Sequence, residues 1–258
     1  MATQDSVQSV RRALHLLNSF TPERTQWSVG DLSRTTGLHK SVVARLMTTM
    51  ASEGFLVQDE GNKAYTIGPQ VFAIGSVYEP RMFLDRVARP IMQELAMACG
   101  QTCALGIPSG QQFMYVIVVE NPRATTFRIT VEAGRRRPYH AAAVGKVLLA
   151  NMPEEQTERI LDDVSLTKLT AYTIDSIDAL RAELTEVRRT GVAFSGQESV
   201  PGVGAVAAGI RNANGYCVAG LNVVYPFHLV NGEEREKLTC LTQDAAHRIS
   251  ERVGCLAL

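Results

Sequence analysis

Residues 28–67 read SVGDLSRTTGLHKSVVARLMTTMASEGFLVQDEGNKAYTI, and their punctuation cuts them into helix, tight turn, helix and hairpin. Ser28, with Asp31 three positions on, is a capping arrangement for a helix start. Gly37 suits the left-handed position that ends such a helix. Only Gly37 and Leu38 separate it from the next helix, which starts near His39, so the two must cross steeply, as in a helix-turn-helix. In the second helix Val43, Leu46, Met47 and Met50 fall at i, i+3, i+4 and i+7 and form an inward stripe. Lys40, Ser41, Ala44, Arg45 and Thr48 are left outside. No acidic residue occurs between Asp31 and Glu53, while Arg34, Lys40 and Arg45 bring positive charge. Small hydrogen-bonding side chains among basic ones suit a helix lying on phosphates and base edges, and a solvated face that lacks acids reads the same way. The residues downstream separate the two. Gly54 ends the helix, Phe55-Leu56-Val57 is strand-like, residues 59–62 (DEGN) turn, and residues 63–67 return as a second strand. That hairpin is a wing with Lys63 beside its tip. A winged helix-turn-helix places its second helix in the major groove of double-stranded DNA. The candidate DNA contacts are Ser28, Lys40, Ser41, Val42, Arg45 and Lys63.

Upstream, residues 6–20 form a helix capped by Asp5 or Ser6, with Val7, Val10, Leu14 and Leu17 on its inner face. Downstream, residues 70–78 are helical and Pro80 interrupts. Residues 82–98 resume with Leu84, Val87, Ile91 and Leu95 in register, and Pro90 kinks or restarts that helix. Residues 70–89 read as a helical linker whose apolar side chains either pack on the next domain or pair two copies of the chain. From Gly100 the pattern changes. Strands at 102–107 and 112–120 flank Pro108-Ser109-Gly110, a third comes at 127–131, and helices occupy 141–151, 154–162 and 176–190. Strands return at 192–195, 203–210 and 216–224, with Asn214-Gly215 as a type I′ turn, before a closing helix at 233–253. The class is α+β, with a mainly antiparallel sheet covered on one face. The expected division is 1–69 for DNA binding, 70–89 for the linker and 90–258 for the second domain.

Composition narrows the function classes. The formal net charge of the 258 residues is zero, so a cationic surface must be local. No apolar run approaches the roughly 20 residues that span a membrane, and residues 1–10 lack a signal-peptide pattern. Five cysteines with no C-x-x-C spacing argue against a disulfide framework or zinc cage and for reduced thiols in the cytoplasm.

The segment 134–150, GRRRPYHAAAVGKVLLA, is similar to the G-x-x-x-P-x-H-x-x-A-x-G-K-x-x-L-A signature of the IclR family of bacterial transcription regulators. Residues 28–57 resemble that family's winged helix, and Glu198…Pro201-Gly202 and NVVYP (222–226) also match. The resemblance implies a GAF-like C-terminal domain that binds a small organic or aromatic acid, and dimers or dimers of dimers on palindromic operators. It implies no cofactor. Carried over position by position, its effector contacts are Ile129, His140, Ala143, Val144, Ser195, Val203, Ala205, Asn222 and Val224. Here the chain departs from an acid-binding site. Asn222 and Val224 replace two small hydroxyls, Ser195 an acid and Ala205 a cysteine, which implies an effector bulkier or more apolar than a two- or three-carbon keto acid.

Competing readings are thin. Arg135-Arg136-Arg137 reads as a solvated loop more readily than as an anion site. His140 is a pocket donor or a structural residue. Gly145-Lys146 suggests a phosphate loop, but His140 and Val147 stand where Walker A needs glycine and a hydroxyl. There is no G-x-S-x-G and no H-E-x-x-H, and Glu198 lacks a visible acid–base partner. The alternative function is a small-molecule-binding protein or enzyme whose winged helix mediates protein contacts.

Overall fold

The computed structural model describes residues 7–21, 23–77, 79–121 and 131–254. The chain divides into two compact units, Met1–Met82 and Phe83–Leu258.

The first unit orders α1 (Gln8–Leu17), α2 (Val29–Thr36), α3 (Lys40–Ser52), β1 (Leu56–Gln58), β2 (Tyr65–Ile67) and α4 (Pro69–Ser76). Leu16, Leu32, Val43, Met47, Leu56 and Tyr65 close around Trp27 as one core. Trp27 bridges to Tyr65 through paired backbone hydrogen bonds of 3.0 and 2.8 Å, and its indole donates to the Ser19 carbonyl at 2.9 Å. The wing thus gains a third short rung that the sequence did not announce. In α1 the expected inner face is misphased. Ala13, Leu16 and Leu17 pack inward, while Val7, Val10 and Leu14 are more than half exposed.

In the second unit, α5 (Glu79–Cys99) leads into β3 (Thr102–Ser109), β4 (Gln112–Val119), β5 (Arg136–Pro138), α6 (Ala143–Ala150), α7 (Glu154–Asp163), α8 (Ile177–Thr190), β6 (Val192–Gly196), β7 (Val203–Arg211), β8 (Cys217–Pro226) and α9 (Gly232–Gly254). The strands form one antiparallel sheet in the order β5-β4-β3-β8-β7-β6. Its two faces carry separate cores. Side chains of α5 and α9 pack with Cys103, Leu105, Val206 and Val223 on one side, and those of α6, α7 and α8 with Ala104, Phe113 and Ala207 on the other. The expected single covered face is therefore corrected: strand side chains alternate between faces, and apolar residues occupy both parities of β3, β7 and β8.

Three local expectations also change. Pro90 lies on the exposed side of α5, which runs through it without restarting; an interior proline leaves one carbonyl of the preceding turn without its helical partner. The expected linker 70–89 consequently ends inside a helix whose residues from Leu84 onward belong to the second unit's core. The 212–216 turn is not type I′, because Gly215 is the loop's one residue at positive φ. Its N–H bonds to the Asn212 carbonyl at 2.9 Å beside a register shift at Ile210/Arg211, the pattern of a longer bulged hairpin. The strand expected at 127–131 falls mostly outside the described residues, and β5, absent from the sequence reading, forms the edge among the described strands.

Candidate functional site

The first candidate surface is built by the two short helices. Ser28 caps α2, its hydroxyl accepting from the Asp31 N–H at 3.1 Å and donating to the Asp31 carboxylate at 2.9 Å. Arg34 and Arg24 both pair with the same carboxylate. Asp31 is held below its ordinary value, first by the Ser28 hydrogen bond and then by those arginines. Ser28 is thus committed to the cap and Arg34 to an acid, which removes one of the three cations counted in the sequence. Gly37, at φ +70°, stops α2, and His39 caps α3. The Ser41 hydroxyl lies 2.8 Å from His39 Nδ1. Val43, Met47 and Met50 are buried, so Lys40, Ser41 and Arg45 stand exposed on the opposite face, with Val42 half-buried beside them. Asp59 shapes the wing tip by accepting from the Gly61 and Asn62 N–H groups at 3.0 and 2.8 Å. Lys63 is exposed there at φ +56°.

The second is a cleft on the α6 side of the sheet, enclosing about 590 Å³ with its open mouth included. Its floor comes from β8, where alternate residues Asn222 and Val224 face it. Asn222 sits between Ala104 of β3 and Ala207 of β7, and those two small neighbours leave room for a polar side chain. Its amide donates to the Tyr115 hydroxyl at 3.5 Å, and its Oδ1 is buried with no partner among the described residues. The Tyr115 hydroxyl is pushed up to about 12, mainly by burial, so it stays protonated and can donate. Val203, Gly204 and Ala205 of β7, Ser195 of β6, and Ser199 and Val200 make one wall; Val131, Glu132, Arg135 and Arg137 make the other. Arg135 pairs with Glu132 at 3.2 Å. Ala142 and Ala143 bring in the start of α6, whose N-cap residue supplies no side-chain acceptor. Free N–H groups at a helix start favour anions.

The Gly145-Lys146 pair holds this helix in place rather than a phosphate. A Cβ on Gly145 would lie 2.2 Å from the Tyr139 carbonyl oxygen, so only glycine lets α6 approach the preceding turn. The Lys146 side chain is 1% exposed and bridges Glu183 of α8 at 2.9 Å and Glu198 at 3.0 Å. Burial raises the Glu198 carboxyl and the Lys146 charge opposes that shift. Glu198 also anchors the wall. Its carbonyl accepts from Thr173 at 2.6 Å, and the next residue, Ser199, donates to the Ala141 carbonyl.

Of the nine sequence-derived effector positions, Ala143, Ser195, Val203, Ala205, Asn222 and Val224 line the cleft. Ile129 lies outside the described residues. Val144 instead packs against Gly106 and Gly220, and His140 is fully buried with Nε2 3.1 Å from the Thr167 carbonyl. Of the arginine run, Arg135 and Arg136 are exposed, as a solvated segment would be, while Arg136 and Arg137 lie in β5 and Arg135 and Arg137 also line the cleft. Tyr115, Val131, Glu132, Ala142, Ser199, Val200 and Gly204 were not among the nine; Tyr115, a polar residue inside the apolar run FMYVIVV, carried the one sequence signal.

Comparison with known proteins settles the family. The model for the IclR helix-turn-helix domain matches residues 9–60, and that for the bacterial transcriptional regulator IclR C-terminal domain matches residues 78–251. The chain belongs to the IclR family. It is 30% identical over 248 residues to the HTH-type transcriptional regulator XynR of Escherichia coli, covering 96% of this chain and 98% of that one. A crystal structure of an IclR-type regulator from Silicibacter sp. TM1040 superposes with a TM-score of 0.83 at 28% identity, covering 95% and 96% of the two chains. An IclR homolog from Microbacterium hydrocarbonoxydans, solved with 4-hydroxybenzoate, shares the fold at a TM-score of 0.80 and 22% identity, covering 95% and 99%. The IclR chain is therefore a transcriptional regulator with a helix-turn-helix domain and an effector domain, not an enzyme. None of its described helices is long and apolar enough to cross a membrane.

Proposed function

We propose that this IclR regulator binds a palindromic operator in the cytoplasm as a dimer or dimer of dimers, and that a small organic acid with an apolar or aromatic body switches it. The observation that carries the effector class is the composition of the cleft. An uncapped helix start and Arg137 supply positive potential, Arg135 being offset by its partner Glu132, and Asn222, Ser195 and Tyr115 supply directed hydrogen bonds. Val131, Val200, Val203 and Val224 offer an apolar bed. A carboxylate at the α6 end with its body on the valines matches that arrangement. The acid bound by the Microbacterium homolog is aromatic, which agrees in kind. On the DNA side, α3 lies in the major groove with Arg45 and Ser41 at base edges or phosphates, and Val42, Lys40 and Lys63 close by. Ser28 fixes the helix start at the backbone. The exposed Val7, Val10 and Leu14 of α1 and Phe72, Ile74 and Val77 around α4 support pairing of two copies.

A thermal-shift panel tests the effector class. Benzoate-type acids should raise the melting temperature, glyoxylate and pyruvate should not, and Asn222→Leu should remove the response while leaving the unliganded protein folded. Stabilisation by the small keto acids alone would contradict the reading.

A further inference from the structure

At the end of α5 the chain turns through Gly100, at φ +71°, and enters β3 at Thr102. The Gly100 N–H bonds to the Ala96 carbonyl at 3.0 Å and holds the turn closed. The turn sets Cys99, the last helical residue, beside Cys103, the second residue of the strand. Both sulfurs lie against one acceptor, the Gln101 carbonyl, at 3.9 and 4.0 Å, which brings the two thiols to the same side of the turn. Cys99 is half-buried and Cys103 fully buried.

The two sulfurs are chemically unequal. The neighbouring Cys103 thiol holds the Cys99 thiol below its ordinary value, whereas Cys99 and then burial hold Cys103 well above. Reactivity toward oxidants depends on thiolate character and access, so Cys99 is the sulfur that meets an oxidant and Cys103 the one that resolves it. Disulfides inside cells are mostly transient and redox-responsive rather than structural.

We propose that Cys99 and Cys103 form a reversible intrachain disulfide when the protein meets a hydroperoxide. The Cys99 thiolate attacks the peroxide oxygen and breaks the O–O bond, giving Cys99 sulfenic acid and an alcohol (water, from hydrogen peroxide). The Cys103 sulfur then attacks the sulfenic sulfur and expels water. In sum two thiols and ROOH give the disulfide, ROH and H₂O, and a dithiol reductant reverses it. The bond reaches the effector domain directly. Cys103 lies between Thr102 and Ala104, which pair with the cleft residues Val224 and Asn222.

No lysine or arginine separates the two cysteines, and trypsin leaves both in one peptide, residues 87–123. The full chain would be treated with hydrogen peroxide, blocked with N-ethylmaleimide under denaturing conditions, digested and weighed. The expected result is a peptide about 2 Da lighter that carries no maleimide and regains two after dithiothreitol, since disulfide formation removes two hydrogens. It should form equally in Cys240→Ser and vanish in Cys99→Ser. In Cys103→Ser, Cys99 should stop at a sulfenic acid that dimedone traps; Cys99→Ser, at the less buried position, keeps the test open if Cys103→Ser does not fold. Recovery of both thiols as maleimide adducts after peroxide, or a cross-link joining two copies instead, would overturn the proposal.

Discussion

His140 and Lys146 show how single residues set the conditions for the cleft. The Thr167 carbonyl can only accept, so His140 Nε2 carries the proton and Nδ1 is bare, buried and without a partner among the described residues. Burial lowers the imidazole below its ordinary value, which for histidine is about 6.5. Protonation therefore favours the unfolded chain: this stability is present above about pH 6.5 and is lost as the pH falls through the lower folded value. Urea unfolding across pH 7.5 to 5 should show a falling midpoint that flattens in His140→Gln; an unchanged slope would place the effect elsewhere. For Lys146, removal of the cation strands Glu198, whose side chain is 12% exposed. Breaking a buried ion pair on one side costs on the order of 3–5 kcal/mol, so Lys146→Met should lower stability by about that much in the same assay, with Glu198→Gln in the same chain recovering part of it. The sequence excluded a phosphate loop at Gly145-Lys146, but it could not show the burial. The partners of Lys146 are 37 and 52 residues away, and contacts at that separation leave no periodicity to read.

At the scale of elements, α2, α3 and the wing were legible because each is bounded by local chemistry: the Ser28–Asp31 cap, Gly37, Gly54 and the DEGN turn. Local signals failed where packing chose between faces. In α1, Val7, Val10 and Leu14 and the set Ala13, Leu16 and Leu17 are both helically spaced, and the core took the second. β5 is short, rich in arginine and an edge strand, so it carried no strand pattern. The cleft was legible through family likeness for six positions. Its arginine wall was not, because a basic run reads as solvated until a sheet edge claims it. Two substitutions test the elements. Arg45→Glu reverses charge on the exposed face of α3 and should abolish operator binding in an electrophoretic shift, with the melting temperature within about 1 °C of wild type because surface changes rarely exceed about 0.5 kcal/mol. Surviving DNA binding would show that α3 is not the recognition helix. Gly145→Ala drives a methyl into the Tyr139 carbonyl and should displace α6, weakening acid binding far more than DNA binding when the two are titrated separately.

For the whole molecule, zero net charge places the DNA affinity in local phosphate contacts rather than in a global field. Neutralising Z phosphates gives a slope of about −0.9Z in log affinity against log salt. Operator affinity should therefore fall steeply between 50 and 200 mM KCl, as roughly six or more contacts per complex would require, and Lys40→Ala or Lys63→Ala should make that slope shallower. The central claim is that the cleft of the effector domain governs the DNA affinity of the winged helix. The most direct test titrates the full chain onto DNA from upstream of its own gene, at fixed salt, with and without an aromatic acid that raises its melting temperature. Wild type should change affinity at least fivefold on adding the acid, the lower end of typical coupling between sites, and Asn222→Leu should bind the DNA normally with no change. An acid that binds the cleft and leaves the operator affinity unaltered would contradict the account.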